Sequence, residues 1–392
     1  MASGTGIRGA LFVLLLLCTS CDPADDSLGA DADNDGVVAA EDCDDTDPSL
    51  LAVANDSDCD GTSAAVDCDD EDPASTLIAE DADCDGVLTE DDCDDSDPAL
   101  LAIAEDPDCD GVVDCLSTSE SQGMTRVRIC GGTFVMGCTE GQTDCGENEF
   151  PVHEVTLTHD FWINQTEVTQ AQWEALMPNN PSAFTVCGSN CPVEKVNWYE
   201  ALAFANAVSE ADGLDACFSL TDCNDNVAGE DLECASVAVN SPSGSVYDCT
   251  GYRLATEAEW EFAARAGTDL IYAGSDTPDE VAWHQGNSAM AVHEVAALAP
   301  NGNGLYDMSG NVGEWVWDWY TWNYYATADP ITDPEGPPAS ATCQGNNPGA
   351  CRVARGGTWL HNVGLARVSG RYNFEVGIRL NIMGIRLVRT VE

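Results

Sequence analysis

The chain has 392 residues, 70 Asp or Glu against 13 Lys or Arg, and a formal net charge of −57, which excludes nucleic acid as a partner because a phosphate backbone would be repelled. The charge is unevenly placed: Asp22 to Cys115 hold 34 acids and no Lys or Arg, leaving 36 acids and 12 bases after residue 115. Length and charge predict two regions, the first suited to divalent cations, and twenty cysteines predict an oxidising compartment.

At the N-terminus Arg8 precedes an apolar run from Ala10 to Leu17, too short to span a bilayer but right for a signal-peptide core. The run ends at Cys18-Thr19-Ser20-Cys21. Small residues before a cysteine resemble a bacterial lipoprotein box, although Cys18 stands where Leu is more usual. The resemblance implies a signal peptide over 1–20, a lipid on Cys21, a tether over 21–30, and a place in the bacterial cell envelope, with the membrane reached through the lipid anchor only. Simple secretion is the rival reading.

Residues 31–115 repeat with a period of 25. Asp31, Asp33 and Asp35 lead to Gly36 and then Asp42; Asp56, Asp58 and Asp60 lead to Gly61 and Asp67; Asp81, Asp83 and Asp85 lead to Gly86 and Asp92. Oxygens at loop positions 1, 3, 5 and 12 with glycine at 6 are the spacing of an EF-hand-type calcium loop. A fourth copy, Asp106 to Gly111, lacks the closing acid. No amphipathic helices flank the loops, and the pattern resembles thrombospondin type 3 repeats, which implies several bound calcium ions. The competing reading is an acidic spacer without fixed structure. Cys43 and Cys59, Cys68 and Cys84, and Cys93 and Cys109 are each 16 apart, and Asn34 stands where later repeats carry cysteine. Bridges from each repeat to the next therefore leave no orphan, and they would stiffen a stalk with little apolar core.

The second domain, 125–392, opens with glycine-punctuated strand material, Val127 to Gly137, and Val155 to Thr158 alternates as a strand. Gln170 to Met177 and Tyr199 to Glu210 read as helices. Thr256 and Glu259 form a capping box for a helix through Ala266, which Gly267 stops. A polar insertion, Cys217 to Cys249, holds four cysteines. Pairing neighbours gives Cys115–Cys130, Cys138–Cys145, Cys187–Cys191, Cys217–Cys223, Cys234–Cys249 and Cys343–Cys351. From Gly304 to Tyr320 a glycine-rich loop runs into Trp315, Trp317 and Trp319, the period of a strand with one buried face.

Several stretches form an ordered series: Gly131 to Gly137, Glu149 to Val155, Glu167-Val168-Thr169-Gln170, Pro192-Val193 with Val196-Asn197-Trp198, Tyr252 to Glu261, the loop just described, Arg355 to Trp359, and Gly384 to Leu387. This series resembles the formylglycine-generating enzyme family, also called sulfatase-modifying factor. The resemblance implies a loop-rich α+β fold related to C-type lectins, carried behind the disulfide-linked acidic calcium-repeat stalk. Members that oxidise a substrate cysteine use copper held by two cysteines spaced five apart after a Gly-Gly-Ser segment, since soft thiolates select Cu(I). Here those positions fall on His361 and Ala366, so no copper is expected and formylglycine generation is not. The resemblance also implies a calcium loop with ligands Asn311, Val312 and Glu314. A second family calcium site falls near Ala282, where its asparagine is missing. Arg355, Thr358, Trp359, His361, Arg367 and Arg371 are expected to line a binding cleft, with Arg386 as a further cation; the alternative is that the arginines pair internally with acids such as Asp318 and Glu314. The expected function is a binding or scaffold module for a peptide, protein or glycan, and the alternative is a metal-dependent oxidoreductase with a non-haem iron site built from some of the five histidines.

Overall fold

The computed structural model describes residues 43, 56–57, 59, 62–63, 65–69, 75, 77–78, 81–82, 84, 115–327, 331–338 and 350–391. The chain divides into two units, Met1–Val112 and Val113–Glu392.

In the first unit, disulfides join Cys43 to Cys59 and Cys68 to Cys84, the repeat-to-repeat bridges the spacing predicts. The period is present in geometry as well as in sequence. The Cys43 and Cys68 sulfurs each lie 3.4 Å from a main-chain oxygen, that of Asp56 and of Asp81 respectively. Cys59 and Cys84 adopt φ of 60° and 61°. Asp56 and Asp81 are completely buried, and Asp67 nearly so. The Asp67 carboxylate accepts the Asp69 N–H and the Ser75 hydroxyl. The other nine expected stalk ligands, Asp31, Asp33, Asp35, Asp42, Asp58, Asp60, Asp83, Asp85 and Asp92, lie outside the described residues, as do Cys21 and the Cys93–Cys109 bridge.

The second unit runs β1 (Thr118–Ser121), β2 (Met124–Ile129), β3 (Gly132–Met136), β4 (His153–Leu157), β5 (Phe161–Asn164), α1 (Gln170–Leu176), α2 (Trp198–Ala211), β6 (Phe218–Cys223), β7 (Cys234–Val239), β8 (Arg253–Leu254), α3 (Glu257–Arg265), α4 (Pro278–Val281), β9 (Ala282–Trp283), β10 (Ser309–Gly310), β11 (Gly313–Trp319), β12 (Ile331–Thr332), β13 (Cys351–Arg355), β14 (Tyr372–Glu375), β15 (Met383–Gly384) and β16 (Leu387–Thr390). An antiparallel sheet in the order β1-β2-β5-β16-β8 ties the start of the domain to its end, and β14-β13-β11-β15 forms a second sheet. All three longer helices begin with a capping box, at Thr169, Asn197 and Thr256, which satisfies otherwise orphaned N–H groups. α3 stops because Ala266 turns left-handed and Gly267 follows at φ 70°.

Two expectations are corrected. The insertion pairs as Cys217–Cys249 and Cys223–Cys234, not Cys217–Cys223 and Cys234–Cys249. The reason is the β6–β7 hairpin, whose register sets Cys223 directly opposite Cys234; pairing by sequence distance ignores that fold-back. Cys351 is bridged, its expected partner Cys343 lying outside the described residues. The tryptophan strand β11 is also buried on both faces rather than one. Trp315 is buried and Trp317 and Trp319 half-buried, yet Glu314, Val316 and Asp318 between them are buried too. β11 sits inside its sheet between β13 and β15, with α3 against it, so even its polar positions are core.

Candidate functional site

The turn after β13 builds the centre of the candidate site. Gly357 has φ 75°, and a Cβ there would stand 2.7 Å from the Cα of Ala366, so the chain doubles back against that residue. Ala366 is itself buried. The turn is anchored by Trp359, whose N–H donates to the Asn311 carbonyl at 2.7 Å and whose Nε1 donates to the Asn381 carbonyl at 3.0 Å. The Ser288 hydroxyl donates to the Trp359 carbonyl at 2.8 Å, and the Gln285 N–H to the His361 carbonyl at 2.9 Å. Phe184 stands edge-on to the Trp359 ring at 5.2 Å. Three loops thus meet around Trp359 and His361: that after β13, that from Trp283 to Val292, and that carrying the Cys187–Cys191 bridge. They present Leu365, Met290 and the fully exposed Val186 to solvent.

His361 is half-buried at the edge of this turn. Burial holds its imidazole below the ordinary range, and its buried Nδ1 has no hydrogen-bond partner. Thr358 and Trp359 lie beneath the surface.

The expected cleft arginines are placed elsewhere. Arg367 makes a fork-on-fork pair with Glu149 at 2.8 and 2.7 Å. Arg371 does the same with Glu257 at 2.6 and 2.7 Å and also donates to the Asn148 carbonyl. Arg355 reaches Glu261 and lies 3.5 Å from Glu257. All three are buried. Burial alone would lower the Arg371 pKa, but the Glu257 carboxylate lifts it higher than usual. Burial would raise Glu261, yet Arg265 and Arg355 hold it below the carboxylate range. These guanidiniums hold the turn rather than offer charge to a ligand, because this acidic domain supplies each of the three with a carboxylate.

The glycine-rich loop is fastened in a similar way. Gly310, at φ 86°, passes so close to Trp283 that a Cβ would lie 2.2 Å from its carbonyl oxygen. Asn311 Oδ1 accepts the His293 N–H at 3.0 Å, while its amide nitrogen donates to Glu167 at 2.7 Å. The Val312 N–H donates to the other Glu167 oxygen at 2.9 Å. Glu314 takes Arg386 at 2.8 Å and the Trp260 N–H at 2.6 Å. The side-chain oxygens of Asn311 and Glu314 thus already accept protein donors, and at Glu314 a cation would have to compete with the Arg386 guanidinium. The loop does carry an excess of buried carboxyl groups, whose ionised forms a divalent cation would answer. Glu167, Asp307 and Glu314 share one guanidinium, that of Arg386. Burial, with Asp307 and Glu314 nearby, pushes Glu167 well above the carboxylate range, and burial pushes Asp307 up to about 6. No group of three or more His, Cys, Asp or Glu able to hold a metal occurs among the described residues, so an ion here would need main-chain carbonyls.

Residues 114–391 match the sequence family described as the sulfatase-modifying factor enzyme 1-like domain. The chain belongs to this family. Among its relatives, the chaperone protein LppX of Paenibacillus barcinonensis is 32% identical over 273 residues, 64% of this chain and 87% of that one. The formylglycine-generating enzyme of Streptomyces coelicolor is 33% identical over 266 residues, 60% of this chain and 78% of that one. The structure of Treponema denticola variable protein 1 superposes with a TM-score of 0.56 at 32% identity, covering 70% of this chain and 98% of that one. Within the family's frame, sequence reasoning missed Glu149, Glu167, Glu257 and Glu261. For Glu257 and Glu261 a signal was present, since with Glu259 they open a helix beside Trp260 and all three prove buried.

Proposed function

We propose that this chain is a non-catalytic binding module: a sulfatase-modifying-factor head that offers the rim around His361 to a peptide, carried on calcium-binding repeats and anchored to the cell envelope by a lipid on Cys21. The observation that carries the reading is the pair His361 and Ala366. Neither is a thiol, and Ala366 is buried under Gly357, so the two-thiolate site that selects Cu(I) cannot assemble there. What the rim offers instead is apolar surface from three loops, Val186, Met290 and Leu365, set in a domain that is acidic overall. Such a surface suits an extended segment with apolar side chains. The head stands outside a reducing cytoplasm, as its many disulfides require. For the stalk, support comes from the geometric repeat and from buried Asp56 and Asp81 at position 1 of successive loops. An iron oxidoreductase has less support: His153 stacks on Tyr325, His293 on Trp283, and His284 bonds Asp279, and among the described residues no group of three or more His, Cys, Asp or Glu is placed to hold a metal.

The test is fluorescence anisotropy of a labelled sulfatase-type peptide with the full chain. Saturable binding, weakened by Val186→Asp or Met290→Asp, is expected. Absence of binding, or binding indifferent to both substitutions, would overturn the reading.

A further inference from the structure

The segment from Asn180 to Cys191 walls one side of the rim, and one carboxylate fastens it from beneath. Glu194 is completely buried. Its Oε1 accepts the Phe184 N–H at 2.7 Å, and the Ala183 amide also bonds it. The Glu194 N–H in turn donates to the Ser182 hydroxyl at 3.2 Å. Its Oε2 is buried with no hydrogen-bond partner. Glu149, Glu257, Glu261 and Glu314 each have an arginine, but among the described residues no guanidinium pairs with Glu194; that of Arg379 donates to the neighbouring Lys195 carbonyl at 2.9 Å and pairs with Glu200 instead. The charge acting on it is that of Lys195, next in the chain. α1 contributes the neutral Gln170, which bonds the Phe184 and Pro192 carbonyls. Residues 180–191 contain no Asp, Glu, His, Lys or Arg, their two cysteines are bridged, and residues 380–384, which receive the Lys195 N–H, contain no ionisable side chain.

We propose that Glu194 is a proton-operated latch: the 180–191 loop stays closed on Trp359 while the carboxyl is neutral and is freed when it ionises. A lone buried carboxylate with two amide donors and no cation is poorly compensated, and the cheapest relief is to lift the loop and admit water. Burial pushes this carboxyl up from its ordinary value near 4.5 to about 7, against the two amides and Lys195. Opening returns it to water and so releases a proton. The open population therefore rises with pH between about 4.5 and 7 and levels off above, by up to about 300-fold if opening solvates the group fully. The consequence for ligand access rests on the rim reading; the latch itself does not.

Hydrogen exchange of the full chain, without ligand, at pH 5 to 8 tests it, with rates normalised to each amide's intrinsic rate. Amides 183–187 should open at least about tenfold more often at pH 7.5 than at pH 5, while β5 and β16 stay unchanged. Glu194→Gln should keep the loop at the slow, low-pH level throughout. A flat loop profile in the unmodified chain, or the same rise in Glu194→Gln, overturns the proposal. Should Glu194→Gln fail to fold, Lys195→Met must move the midpoint to higher pH, and an unmoved midpoint overturns it equally. Failure of peptide to bind the rim leaves this measurement untouched.

Discussion

Replacing Arg367 with Met separates a structural arginine from a ligand-binding one. Among the described residues Arg367 is the sole cation paired with Glu149, and their side chains are 5% and 3% exposed. Glu149 otherwise accepts only the Ser369 hydroxyl at 2.6 Å and the Gly146 N–H at 2.7 Å. Removing one partner of such a buried pair leaves an uncompensated charge and costs about 3–5 kcal/mol. The matched domain spans 114–391, for which an unfolding entropy of about 2.1 cal/mol/K per residue gives roughly 0.6 kcal/mol/K, so the midpoint should fall by about 5–9 °C. Arg367→Met combined with Glu149→Gln should recover at least half of that loss, since both charges are then gone. The assay is thermal or denaturant unfolding followed by tryptophan fluorescence. A loss below about 1 kcal/mol for Arg367→Met would refute the reasoning and return Arg367 to the cleft.

Three further outcomes follow from the same physics. Because the folded pKa of Glu194 is raised to about 7, its stabilising contribution is complete below about 4.5 and is lost as pH rises through 7; Glu194→Gln should remove up to about 3 kcal/mol of pH dependence in denaturant titrations, and identical profiles would contradict this. Chelating calcium should enlarge the hydrodynamic radius of the full chain, because the 34 carboxylates between Asp22 and Cys115 repel once counter-charge is withdrawn; an unchanged radius in light scattering would count against calcium binding. Peptide mapping without reduction should recover Cys217–Cys249 and Cys223–Cys234, and thiol labelling of the denatured chain should be nearly silent; strong labelling would reopen a thiolate site.

The parts that depend on local spacing were legible in the sequence. Thr256 with Glu259 marks a helix start because the capping box needs only neighbours, and the 25-residue period fixed the Cys43–Cys59 and Cys68–Cys84 bridges. Contacts between distant segments were not legible. Nothing near Arg367 in sequence points to Glu149, which lies 218 residues away; nor does the tryptophan alternation of β11 reveal that Glu314 and Asp318 face an interior rather than water. Glu194 illustrates the same limit, since an isolated Glu in a loop reads as solvated until the fold closes over it.

The central claim is that a family head without its two thiols binds without catalysing. The most direct measurement is mass spectrometry of a cysteine-bearing sulfatase-type peptide after incubation with the full chain, copper, a reductant and oxygen. The account predicts unmodified peptide at every time point. Aldehyde formed over multiple turnovers would contradict it, and would place catalysis on residues other than His361 and Ala366.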